Sequence, residues 1–82
     1  MLQIYQVKLA DIYIPTERRK TLDAVKAQTL AGDILDHGMR IPIQVRFDGK
    51  RHVLVEGLHR LEAARLLGEP TISAYLVQAR KH

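Results

Sequence analysis

Between Thr21 and His37 apolar residues recur at Ala27, Leu30, Ala31, Ile34 and Leu35, the i, i+3, i+4, i+7, i+8 spacing of one helical face. Thr21 or Asp23 can cap its start, and Gly38 can take a left-handed conformation just past its end. Gly32 within it costs about 1 kcal/mol relative to alanine. The period then changes to two. Ile41, Ile43, Val45 and Phe47 alternate with Pro42, Gln44, Arg46 and Asp48, as in a half-buried strand. Asp48-Gly49 is a two-residue hairpin signal leading into a strand from about Arg51 to Glu56. A second helix is predicted from Leu58 to Leu67, with Leu58, Leu61 and Ala64 or Leu67 inward. Gly68 stops it, Pro70 blocks its continuation, and Thr71 to Val77 reads as a closing strand. At the other end, Met1 to Leu9 alternates loosely, with Leu2 and Ile4 on one side and Tyr5, Val7 and Leu9 on the other. Ile12-Tyr13-Ile14 is a short extended piece ended by Pro15. The order of elements predicts an α+β fold, and the 82 residues leave room for one domain and one modest core.

Composition narrows the setting. No apolar run approaches the roughly 20 residues that cross a bilayer, so no membrane contact is expected. The start Met1-Leu2-Gln3-Ile4-Tyr5 lacks the basic and apolar regions of a secretory leader, and there is no cysteine; a reducing cytoplasm is the expected location. Thirteen Lys and Arg against nine Asp and Glu give a net charge of +4, which suits either solubility or attraction to nucleotides and nucleic acid. The cations fall in small groups, Arg18-Arg19-Lys20, Lys50-Arg51 and Arg80-Lys81, rather than in one basic arm.

The sharpest chemical feature is the passage from strand to helix through Val55-Glu56-Gly57-Leu58-His59-Arg60-Leu61. N–H groups in a first helical turn lack intrahelical partners, and the helix dipole adds positive character there. Helices usually set Asp or Glu at this point, whereas this one sets His59 and Arg60. An anion would resolve the conflict: Gly57 lets backbone approach a ligand, and Arg60 can grip phosphate oxygens with two hydrogen bonds. The alternative is that Glu56 pairs with Arg60 or caps the helix while His59 is solvated. A second candidate is Pro15-Thr16-Glu17-Arg18-Arg19, a polar loop that either brings a carboxylate and guanidinium groups to the same site or is simply a solvated turn. His37, His52, His59 and His82 lack metal-ligand spacing, no Ser-His-Asp arrangement emerges, and 5% aromatic content is too low for a base-stacking platform.

Taken in order, Ile14-Pro15-Thr16-Glu17-Arg18, the run Leu30 to Gly38, Pro42-Ile43-Gln44-Val45 and Val55 to Ala64 resemble the ParB/sulfiredoxin-like superfamily, in particular the ParB N-terminal domain, over roughly Val7 to Val77. The resemblance implies a small mixed β-sheet with two main helices. It further implies that a nucleoside triphosphate, ATP or CTP, with or without Mg2+, is held at the Gly-x-x-Arg turn by Glu56, Gly57, Leu58, His59 and Arg60, with Arg18 facing them. Small-molecule kinases of this superfamily use a glutamate in a position like that of Glu17, which marks Glu17 as the candidate catalytic residue for phosphoryl transfer or hydrolysis. Sulfiredoxins carry their reactive cysteine where this chain has Leu58, so their thiol chemistry is not expected. Partition ParB proteins have Gly-Glu-Arg-Arg at the turn and a helix-turn-helix further on. Here Leu58 and His59 replace the middle pair, and weak, sequence-independent contact with DNA is the most that is expected of this chain alone.

Overall fold

A computed structural model describes residues 3–77; Met1 and Leu2 of the expected first strand, and the Arg80-Lys81 pair, lie outside them. The chain runs β1 (Ile4–Lys8), a 3-10 turn (Leu9–Asp11), β2 (Ile12–Tyr13), α1 (Thr16–Arg19), α2 (Ala24–His37), β3 (Ile43–Phe47), β4 (His52–Glu56), α3 (Leu58–Leu66) and β5 (Thr71–Leu76). The strands form one mixed sheet in the order β1-β5-β3-β4-β2. The β1–β5 and β3–β4 pairs are antiparallel, while β3–β5 and β2–β4 are parallel. This is the expected α+β architecture.

The elements follow from local chemistry, with several departures from the sequence pattern. Asp23 wins the cap of α2, because its Oδ1 accepts the Val25 and Lys26 N–H groups at 3.0 and 3.1 Å. Thr21 instead donates its hydroxyl to the Arg18 carbonyl at the end of α1. Along α2, Ala27 and Ala31 are buried and Leu30 and Ile34 half-buried, but Leu35 is 74% exposed. At 100° per residue Leu35 lies about 80° around the helix from Ala27, past the edge of the covered face. In β3 only Ile43 and Val45 are buried; Ile41 and Phe47, at the two ends of the alternation, are exposed, and the register shifts between Gln44 and Val45. The hairpin sits one residue later than Asp48-Gly49: the Asp48 N–H donates to the Arg51 carbonyl, so Gly49 and Lys50 are the central pair, with Gly49 at φ +100°. Finally, Pro15 to Arg19 is not an open loop. Thr16–Arg19 form a single helical turn, with the Arg18 and Arg19 N–H groups on the Pro15 carbonyl.

The core gathers Val7, Ile12, Ile43, Val45, Leu54, Ile72 and Ala74 from the sheet with Leu58, Leu61 and Ala64 from α3. Ile43, fully buried, lies in register with Ala74 of β5 and meets the start of α3 from below. That contact matters for the site. A Cβ placed on Gly57 would come within 2.6 Å of Ile43 Cγ2, so the strand can turn into α3 here only with a residue that has no side chain.

Candidate functional site

At the start of α3 the backbone donors are left open. Gly57 sits at the cap position with φ 110° and ψ 31°, a left-handed conformation that suits glycine and offers no side-chain acceptor. The first intrahelical bond runs from the Leu61 N–H to the Gly57 carbonyl. The N–H groups of Leu58, His59 and Arg60 therefore have no acceptor within the helix, and the first turn carries no acidic residue. Leu58 turns its side chain into the core, so what it offers this turn is its backbone. Arg60 is half-buried. Its Nε is shielded from solvent and has no hydrogen-bond partner among the described residues. Leaving a buried polar group unpaired costs roughly 1–3 kcal/mol, more when it is charged.

Two other elements close around this turn. The open cleft above it, about 520 Å3, is lined by Arg18 and Thr21 at the end of α1, Lys26 and Leu30 of α2, and Glu56 through Arg60. Arg18 reaches Glu56 at 3.8 Å, which ties α1 to the turn, although both side chains stay substantially exposed and the pair is weak. Glu56 thus pairs with Arg18 rather than Arg60, and it does not cap α3. His59 is not merely solvated: its Nε2 accepts the Asp23 N–H at 3.1 Å, joining the starts of α2 and α3. Three cations, Arg18, Lys26 and Arg60, face one carboxylate, Glu56, in a cleft whose floor is a row of open N–H donors. Such a cleft can hold an anion with several oxygens, as a polyphosphate has.

Of the residues read from the sequence, Arg18, Glu56, Gly57, Leu58, His59 and Arg60 therefore meet in one place. Glu17 does not line the cleft; it lies exposed on the first turn of α1, next to Arg18, and has no ion-pair partner among the described residues. Lys26 and Thr21 were missed. Thr21 follows α1 and Lys26 lies in α2, so both join the site only through tertiary packing around the start of α3.

Away from the cleft, the Arg51 and Lys50 backbone N–H groups hold the Asp48 carboxyl below its ordinary range, helped by the Arg51 side chain. On α3, a hydrogen bond from Arg65 lowers Glu62 and raises Arg65. Among the described residues no three His, Cys, Asp or Glu side chains gather as metal ligands, and no helix is long and apolar enough to cross a membrane.

Comparison with known proteins gives this geometry a family context. The ParB N-terminal domain family model matches residues 1–82. A probable chromosome-partitioning protein ParB from Helicobacter pylori is 35% identical over 63 residues, which cover 77% of this chain and 22% of that protein. Sulfiredoxin from Arabidopsis thaliana superposes with a TM-score of 0.84 at 30% identity, covering 94% of this chain and 86% of that one. A C-terminally truncated chromosome-partitioning protein ParB from Caulobacter crescentus, complexed with CTP-gamma-S, superposes with a TM-score of 0.81 at 20% identity, covering 96% of this chain and 46% of that one. The chain thus spans about a fifth of the Helicobacter relative, and most of the length of the plant protein.

Proposed function

The chain belongs to the ParB N-terminal domain family, and on that footing we propose that it binds the phosphates of a nucleoside triphosphate, ATP or CTP, at the start of α3. The observation that carries this reading is the Arg60 Nε, buried without a partner beside the unpaired N–H groups of an uncapped helix. A phosphate oxygen there removes the cost of the orphaned donor and meets the helix terminus at once. Arg18 and Lys26 add charge from α1 and α2, and Gly57 through Arg60 form the floor. The Caulobacter relative with its bound CTP-gamma-S supports a nucleotide as the ligand. A cytoplasmic setting belongs to the same reading. Mg2+, where present, would be held chiefly by the phosphates, with Glu56 as the carboxylate lining the cleft and Glu17 beside the cleft-lining Arg18.

Turnover is assigned to Glu17, adjacent to the cleft-lining Arg18, as the carboxylate that accepts a proton from an acceptor hydroxyl or water. Glu17→Gln should keep nucleotide affinity within a few-fold while lowering hydrolysis or transfer by roughly 100-fold. A wild-type protein that turns over no nucleotide with any hydroxyl acceptor leaves a binding module and removes the enzyme. The binding claim itself is tested by thermal shift with ATP, CTP, GTP and their diphosphates, with and without Mg2+. A ligand at 100 times its Kd adds about 2.7 kcal/mol, and no stabilisation by any triphosphate would contradict it.

A second reading, weak contact with DNA, has its own observation. A separate cleft of about 590 Å3 at the β2 edge is lined by Arg19, Lys50, Arg51 and His52 with Tyr13 and Phe47, against the single acid Asp11. Arg51 lies over the Tyr13 ring at 3.7 Å. Phosphate-backbone contact of this kind falls steeply with salt and ignores sequence. Tight discrimination between two duplexes at physiological salt would sink it.

A further inference from the structure

We propose that His59 is a positioning residue with a fixed tautomer: protonated on Nδ1, it uses a bare Nε2 to hold the start of α2, and with it Lys26, against the cleft. This rests on the phosphate-site reading only for its effect on ligand; the tether itself stands in the free protein.

The Asp23 N–H precedes α2, so the helix offers it no acceptor, and it donates to His59 Nε2 at 3.1 Å. A ring nitrogen that accepts cannot carry a proton, so the proton of the neutral imidazole is on Nδ1. Asp23 in turn accepts from the Val25 and Lys26 N–H groups. One continuous chain of hydrogen bonds therefore runs from the first turn of α3 through Asp23 to Lys26, which lines the cleft. The charged groups around this imidazole are Arg18 of α1, Asp23 at the cap of α2, Lys26 of α2, Glu56 at the end of β4, and Arg60 of α3 itself. A second proton on His59 would set an N–H donor against the Asp23 N–H, and the tether would open.

The test begins with nitrogen NMR of the imidazole in the ligand-free protein, together with hydrogen exchange at the Asp23 amide. We expect an Nδ1–H tautomer and a protected Asp23 amide. His59→Ala should speed Asp23 exchange roughly 3- to 10-fold, the size expected for one lost hydrogen bond. His59→Gln, whose Oε1 can accept in place of Nε2, should restore protection. With CTP as probe, His59→Ala should weaken binding about fivefold and His59→Gln should recover most of it. An Nε2–H tautomer, or Asp23 exchange unchanged in His59→Ala, overturns the proposal. Failure of CTP and ATP to bind the wild-type protein counts against the phosphate site and leaves the tether decided by the ligand-free measurements.

Discussion

Two helices begin within one hydrogen bond of each other, and they begin in opposite ways. The start of α2 is served by its own chain at three donors: Asp23 accepts the Val25 and Lys26 N–H groups, and its own N–H is taken by His59. The start of α3 has a glycine for a cap, no acid in its first turn, and a buried Arg60 Nε with no acceptor. The dipoles are alike, so the difference lies in what side chains supply. A terminus already satisfied by its own chain has a structural task. One left open, and ringed with cations, is where the proposed ligand would bring its oxygens.

The comparison breaks most visibly at Gly57. Gly57→Ala forces a left-handed conformation on a side chain and drives a Cβ to 2.6 Å from Ile43 Cγ2, so we expect a loss of roughly 2–4 kcal/mol in denaturant unfolding. An alanine variant as stable as wild type would show that the turn is not built as described. Next comes Arg60→Ala, which removes the orphaned donor. Triphosphate affinity should drop by about 1.5–3 kcal/mol in isothermal titration, with the fold retained. Equal affinity in the two proteins would detach Arg60 from the site. At the satisfied terminus, Asp23→Ala should cost about 1 kcal/mol of stability, read as a lower denaturation midpoint. If α2 were instead held by packing alone, the midpoint would stay put. The smallest effect lies outside both termini. The Asp48 carboxyl is held below its ordinary value by the Lys50 and Arg51 N–H groups, so it contributes stability above the unfolded-state value and loses it as pH falls through the lower folded-state value. Asp48→Ala should therefore lower Tm slightly at neutral pH, with the gap to wild type closing in strong acid; a gap that persists there would contradict the assignment.

Much of this was legible in the residues, for reasons that also explain what was not. Period and punctuation marked both long helices, the β3–β4 hairpin and the closing strand, because each is set by neighbours along the chain. The Gly57 turn was legible as a turn, but its reason was not: the contact with Ile43 joins positions 14 residues apart in sequence (57 − 43). Leu35 read as core because a period of 3.6 does not say how wide a face the partner covers, and α2 buries a narrow stripe centred on Ala27 and Ala31. The short helix Thr16–Arg19 has no apolar repeat to announce it. Lys26 and the Asp23–His59 bond exist only once α2 and α3 lie side by side, so no local pattern could have named them. The gathering of Arg18 with Glu56 to Arg60 follows the family resemblance, which carries tertiary information that spacing lacks.

Phosphate is proposed to bind at the open terminus of α3. Amide and guanidinium NMR during titration with CTP and ATP reads it directly. Saturable shifts are expected at the Leu58, His59 and Arg60 amides and at Arg60 Nε, with the β1 edge unmoved. Saturable binding whose shifts fall elsewhere, with those four signals still, would contradict it.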